Sequence, residues 1–328
     1  MNFELSLGFE DVAIVQKKNK VLSRLDVDIS SEIIKGVKVN IPLIAANMSS
    51  VINSSFLIQI MELGGFGFLH RALLEDEYLA EVKKVAKHCQ WVPVSIGVGV
   101  KEYNLAGKLI NAGANIVLID IAHGYADTVI DLAKVLKTQY PHVKVVVGNT
   151  VNIGLLEETV GYADAVKVGI GGGLACSTAT TAGCTEKQFS AVLKFKDRAY
   201  DLGVPIISDG GTRIPADFVK AIAAGANSVM AGSIFARCPE SAAETVSENG
   251  DFPKKLYFGM ASKLAQAQWK GGLKPGTCAE GKNVYLDMGE PVNKLLERYA
   301  GALRSGITYG GGINIPSFQK EVEFIRFK

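Results

Sequence analysis

Eight short runs of β-branched and aliphatic residues, each followed by apolar residues at helical spacing, predict an α/β fold, a (β/α)8 TIM barrel. The runs are continuous rather than alternating, as expected of parallel strands buried on both faces. An open doubly wound sheet usually stops at about five or six strands, so the number of runs favours the closed barrel. A chain of 328 residues holds one barrel of about 250 residues with a C-terminal extension. No linker rich in proline, glycine or serine interrupts it, so a single catalytic domain over 1–328 is expected.

In chain order the strands are expected at Pro42–Ala46, Phe66–His70, Val92–Val98, Asn115–Asp120, Val143–Asn149, Ala165–Ile170, Pro205–Asp209 and Ser228–Gly232. Helical spacing is clear over Tyr78–His88, Leu105–Ala112 and Ala216–Ala224. Ala-Gly-Ala at 112–114 and at 224–226 marks two helix ends, with glycine in the left-handed cap position. After the eighth strand, Pro253–Gly281 reads as a polar, glycine-punctuated connection. It is long for a loop in a compact domain, and such loops often act as lids, so a flap is expected at roughly 253–282.

Net charge is +2, and the charged residues of both signs are interspersed. A nucleic-acid binder relying on electrostatics would cluster its lysines and arginines, so no nucleic-acid partner is expected. No apolar run reaches the roughly 20 residues that span a bilayer, so no membrane partner is expected. Met1–Leu5 lacks the basic-then-apolar pattern of a secretory signal. The five cysteines are odd in number and form no CxxC pair, which favours reduced thiols and a cytoplasmic location.

In this fold chemistry gathers at the C-terminal ends of the strands. Those ends carry Asn47-Met48-Ser49-Ser50, His70-Arg71, Asp120 with His123, Asn149-Thr150, Asp209-Gly210-Gly211 and Gly232-Ser233. The sixth strand runs into Gly169-Ile170-Gly171-Gly172-Gly173-Leu174-Ala175-Cys176, a loop whose glycines open the backbone to a ligand and which presents one thiol. The turns after strands seven and eight occupy the usual phosphate site of the fold. They read either as phosphate-binding turns or as ordinary tight βα turns. Asp209 suits ribose hydroxyls better than phosphate, because like charges repel. His123 reads equally as a base or as a structural hydrogen-bonder.

These residues, in this order, resemble the IMP dehydrogenase/GMP reductase family. The likeness runs through Pro42–Met48, Asp120-Ile121-Ala122-His123-Gly124, Gly148-Asn149, Val168–Gly171 with Cys176, Ser208–Gly211, Gly259-Met260 and Leu303–Gly306. The chain has no room for the CBS pair usual in dehydrogenases. It also has neither arginine nor tyrosine between Gly259 and Glu280, where they place a water-activating pair. It therefore resembles the reductase branch. That branch implies NADPH-dependent conversion of GMP to IMP and ammonia, with Cys176 attacking purine C2 as a thiolate and Thr178 with Glu280 relaying protons. The resemblance further implies that Asp209, Gly210, Gly211, Gly232, Ser233, Gly259, Met260, Ala261 and Gly281 hold the nucleotide. Arg71, Asp120, Ala122, Ile170 and Gly171 would face the cofactor. Ser23 and Arg24 would reach the cofactor of a neighbouring subunit in a homotetramer. Carbonyls of Gly171, Gly173 and Cys176 would hold a monovalent cation such as K+.

Several positions depart from the family pattern. Gly172 replaces a proline, and Leu174 replaces a serine whose hydroxyl contacts the substrate phosphate. A hydrogen bond to a charged group contributes about 1.5–3 kcal/mol, so either the remaining turns suffice or the purine nucleotide differs. Ala179 replaces an arginine near the cation site, and Ser49-Ser50 replaces an Asp-Thr pair near the base pocket. The alternatives to a GMP-reducing enzyme are a dehydrogenase without CBS domains, a reductase of a modified purine nucleotide, and a non-enzymatic nucleotide-binding regulator.

Overall fold

The eight aliphatic runs form eight parallel strands: β1 Leu43–Ala45, β2 Phe66–Gly67, β3 Pro93–Ile96, β4 Ile116–Asp120, β5 Lys144–Thr150, β6 Ala165–Val168, β7 Ile206–Asp209 and β8 Ser228–Ala231. In this computed structural model, which describes residues 4–247 and 252–327, they pair in the order β2-β1-β8-β7-β6-β5-β4-β3. A bridge between Leu69 and Val94, with the Leu69 amide 3.0 Å from Pro93 O, joins β2 to β3 and closes the ring. The barrel is the expected one. Most strands are shorter than their aliphatic runs, because the ends of the runs turn into loops while staying buried.

Two apolar cores explain why the runs do not alternate. Ile44, Phe66, Phe68, Ile116, Leu118, Val146, Ala165, Ile207 and Met230 pack inside the barrel. Their sequence neighbours, such as Leu43, Val117, Val145 and Val166, face the surrounding helices. The inner core continues into Ile33, Ile34, Val37 and Val39, which belong to a hairpin of two strands, Ser31–Ile34 and Val37–Val39. That hairpin was not expected from the sequence.

Helices α1 to α7 cover Ser54–Glu62, Glu75–Ala86, Val100–Asn111, Asp127–Gln139, Gly154–Glu158, Gln188–Leu202 and Pro215–Ala223. Their starts follow ordinary capping chemistry. Asn53 Oδ1 accepts from Phe56 N at 3.0 Å at the start of α1, and Pro215 opens α7, where a missing N–H costs nothing. Gly113 and Gly225 have φ of 118° and 120°, the positive values expected after the ends of α3 and α7.

The expected long loop is instead an ordered subdomain. Strands β9 Glu244–Val246, β10 Lys254–Phe258 and β11 Asn283–Asp287 form an antiparallel sheet. Between β10 and β11 lies α8, Lys263–Lys270, capped by Ser262 and ended by left-handed Gly271. Helix α9, Val292–Tyr309, packs back on α7, and the late strand Phe324–Arg326 pairs with Val12–Ile14. Among the described residues no helix is long and apolar enough to cross a membrane, and the five cysteines are free thiols. Met1–Phe3, part of the segment read for a secretory signal, lies outside the described residues.

Candidate active site

Beyond β6 the chain enters the glycine loop through positive φ at Gly169 (139°) and Gly171 (83°), a conformation that disfavours any side chain. The loop delivers Cys176, partly exposed, to the mouth of the barrel. The Cys176 thiol lies 3.3 Å from Thr178 Oγ1, and that hydroxyl donates to Glu280 Oε2 at 2.8 Å. Glu280 arrives from the flap, and backbone bonds hold it there. Ser177 N donates to Glu280 O at 3.0 Å, Lys282 N to Ala175 O at 2.9 Å, and Glu280 N to Ala261 O at 3.1 Å. Gly281 is wedged in this seam, where an added Cβ would stand 2.7 Å from Ser262 N. A glycine there lets the 280–282 segment lie against the 259–262 turn within the flap.

The turns after β7 and β8 are built for close approach. Gly210 and Gly211 have φ of 107° and 78°, and Gly211 N donates to Gly172 O at 3.0 Å. The glycine loop and the β7 turn thereby line one wall together. A Cβ on Gly232 would collide with the Tyr257 hydroxyl, so that phenol stands directly beside the β8 turn. Burial, with Asp209 and Cys176 nearby, pushes the Tyr257 phenol far above the ordinary range and keeps it a hydrogen-bond donor.

Beneath these turns lies a buried ionic cluster. Lys167, 2% exposed, points its ammonium at Asp120 Oδ1 (2.8 Å) and Asp209 Oδ2 (2.6 Å) and also donates to Asn149 Oδ1. Asn149 Nδ2 donates to Asp209 Oδ2 at 2.9 Å, and Asn47 Nδ2 donates to Asp120 Oδ2 at 2.9 Å. Burial disfavours the charge on Asp120, but the Lys167 and Arg71 cations outweigh it and hold the carboxyl below its usual value. Burial likewise opposes the charge on Lys167, and the two carboxylates outweigh it. Gly148 makes room for this lysine, since a Cβ there would lie 2.6 Å from Lys167 Cβ. Among the described residues nothing donates to Asp209 Oδ1.

These groups surround a cavity of about 600 Å³. Of the expected site residues, it is lined by Cys176, Thr178, Glu280, Asp209, Gly210, Gly211, Gly232, Ser233, Gly259, Met260, Ala261, Arg71, Asp120, Ala122 and Gly173. Gly281, Ile170 and Gly171 sit behind that lining rather than in it. Ser23 and Arg24 lie elsewhere, and Arg24 bonds Ser305 Oγ and the Tyr309 hydroxyl of its own chain. His123 is exposed and away from the cavity lining. Ser49 and Ser50 are not among the lining residues and stand behind Met260, which is. Ser50 Oγ instead pairs with Phe258 O (2.9 Å) and N (3.2 Å), and Ser49 N approaches the sulfur of Met260 at 3.5 Å, so the pair braces the flap strand.

Sequence reasoning missed Lys167, Tyr257 and the inner face of α8, where Trp269 and Lys270 line the cavity together with Lys274 beyond it. For Lys167 a signal existed: a lysine inside the buried run Ala165–Val168 demands carboxylate partners.

A model of the IMP dehydrogenase / GMP reductase domain matches residues 6–328. The chain belongs to this family. Among curated relatives, a protein named GMP reductase from Klebsiella pneumoniae is 35% identical over 334 residues, covering 98% of this chain and 95% of that protein. GMP reductase from Ascaris suum is 30% identical, covering 99% and 94%. GMP reductase 1 from Mus musculus is 31% identical, covering 98% and 95%.

Proposed function

We propose that the protein catalyses the reductive deamination of GMP to IMP and ammonia with NADPH as reductant, the whole chain acting as one catalytic unit. The observation that carries this reading is the chain of contacts from Cys176 Sγ through Thr178 Oγ1 to the Glu280 carboxylate, facing the cavity. Full-length likeness to proteins named GMP reductase supports it.

The geometry suggests how these residues work. Thr178 takes the thiol proton and hands one to Glu280, leaving a thiolate that attacks C2 of the purine. The 2-amino group leaves only as ammonia, so it must be protonated, and Glu280 through Thr178 returns the proton. The C2–N bond breaks and a thioimidate at Cys176 remains. When bound, the nicotinamide supplies hydride to C2. The C2–S bond then breaks, IMP departs and the thiolate is regenerated. Asp209 Oδ1, free of protein donors, accepts from the ribose hydroxyls. The β7 and β8 turns with the Tyr257 hydroxyl cradle the phosphate, so Leu174 is compatible with a 5′-nucleotide. Oxidation of IMP is disfavoured, because the flap lacks an arginine and a tyrosine between Gly259 and Glu280 to activate water.

The cofactor half of the cavity suits an anionic dinucleotide. Arg71 lies 5.4 Å from the Trp269 ring centroid and Lys270 Nζ 4.3 Å from it. Burial and then the neighbouring Arg71 lower the Lys270 ammonium below its usual value, a strain of like charges that a phosphate relieves. Among the described residues the buried Trp269 indole N–H has no partner, as expected of a group that waits for a ligand. For the monovalent cation, among the described residues no group donates to the carbonyls of Gly171 or Cys176, while Gly173 O accepts only from Cys176 N. The carbonyls of Gly171 and Cys176 are therefore free to accept a cation such as K+, and Gly173 O has one lone pair left for it. Leu22 and Leu25, fully and 82% exposed on either side of Ser23-Arg24, favour a subunit interface there and a homotetramer. Five free thiols fit a cytoplasmic setting.

The test is acid quenching of protein incubated with GMP, followed by intact mass. A covalent adduct of GMP minus ammonia is expected on wild type and is absent from Cys176→Ala. Thr178→Val should bind GMP normally but slow turnover about 100-fold or more. An adduct that persists in Cys176→Ala overturns the reading.

A further inference from the structure

Lys167 is the most deeply buried charge of the site, and its geometry leaves it nothing to offer a ligand. An ammonium has three N–H donors, and here they face Asp120, Asp209 and Asn149. All three side chains border the cavity, but the carboxylates differ from the 3%-exposed lysine in their access to it. Their side chains are 22% and 21% exposed. Asp120 ends β4 and Asp209 ends β7, with β5 and β6 between them. Across that gap the connection consists of Lys167 on β6 and Asn149 on β5.

We propose that Lys167 is a positioning residue that ties the nucleotide half of the site to the dinucleotide half, so that loosening it weakens both ligands though it touches neither. The proposal rests on the reading above, in which Asp209 meets the GMP ribose and Asp120 the dinucleotide. One ammonium balances two carboxylates, so neither carboxylate can shift without changing the pull on the other. A buried cation shared in this way holds both partners to one geometry, and its removal leaves uncompensated buried charge.

Replacing Lys167 by methionine keeps most of the volume and removes the charge. Two carboxylates then face each other in a confined space, and one takes up a proton well above the ordinary carboxylate range. That shared proton partly replaces the ammonium at low pH and is lost as pH rises. The other charged or titratable groups bearing on the pair are Arg71, which acts on Asp120, and Tyr257, which faces Asp209 and in turn Cys176. Arg71 stays charged and the Tyr257 phenol stays neutral across the tested range, so neither supplies the pH dependence.

The experiment measures dissociation constants of GMP and of NADPH separately, by calorimetry, at about pH 6 and about pH 8. Each variant is compared with wild type at the same pH, because the monoester phosphates of both ligands themselves titrate near about pH 6. Lys167→Met is expected to bind both at least tenfold more weakly at the higher pH and to recover part of the loss at the lower. Lys167→Met/Asp120→Asn, with one carboxylate left, is expected to lose that pH dependence. Weakening of one ligand only, or equal weakening at both pH values, overturns the proposal. Should Lys167→Met fail to fold, Asp120→Asn alone decides, because GMP affinity must then change along with NADPH affinity. A change confined to NADPH refutes the tie. Wild-type protein that binds neither ligand removes the functional reading itself, a result distinct from either.

Discussion

Lys167 and His70 are both buried titratable residues near the barrel mouth, and their surroundings resolve them in opposite ways. Lys167 keeps its charge because two carboxylates meet it. His70 meets none. Burial alone pushes its imidazole down to about 4, and its Nδ1 accepts from Ala72 N at 3.2 Å, so it is neutral and shapes the turn that carries Arg71. A depressed value in the folded state means stability is complete above the unfolded value near 6.5 and is lost as pH falls through about 4. Between about pH 7 and about pH 5 the native protein should therefore lose about 2 kcal/mol more than His70→Asn, which keeps an acceptor but cannot titrate. Urea unfolding of both proteins at the two pH values checks this, and equal losses would refute it. Residue by residue, Cys176, Thr178 and Glu280 were legible because a resemblance assigned them a shared task. Lys167 was not singled out, because the aliphatic neighbours that mark β6 as a strand also hide its one charge.

At the level of elements the flap is where sequence and structure part most. Strands β10 and β11 pair although Lys254 and Asp287 stand at opposite ends of the segment, and local periodicity carries no information about such distant partners. The segment between them is punctuated by glycine and lysine, so it reads as loop even though Ser262 caps a regular helix within it. That Glu280 reaches in from this element was expected, and the structure brings it to Thr178. What seats it there was not expected. Gly281 meets backbone atoms of Ala261 and Ser262 on the flap side, and backbone cannot swing aside as a flexible side chain does. Gly281→Ala should push the 280–282 segment off the 259–262 turn and carry Glu280 away from Thr178. A displacement of about 1 Å can cost roughly 100-fold in turnover. Alkylation of Cys176 by iodoacetamide should become faster in the same variant. Slower turnover with unchanged alkylation would mean that the segment stays seated and that Gly281 acts in some other way.

For the whole molecule, the barrel was legible because burial on both faces imposes a pattern that no half-exposed sheet shares. Leu43 and Ile44 are adjacent and equally buried, one toward the helices and one toward the axis. The hairpin over Ser31–Val39 escaped notice because its strands are only a few residues long and belong to the barrel core by position rather than by repeat. The fold then gathers its chemistry by topology: β4, β6 and β7 bring Asp120, Lys167 and Asp209 together, and the flap closes over the thiol loop. The central claim is that this assembly removes the amino group of GMP at the expense of NADPH. The direct measurement is simultaneous assay of NADPH absorbance and ammonia after mixing the purified protein with GMP. The account predicts one ammonia released for each NADPH oxidised, with both lost in Cys176→Ala. NADPH oxidation without ammonia, or no turnover in folded protein that binds GMP and NADPH, would contradict it.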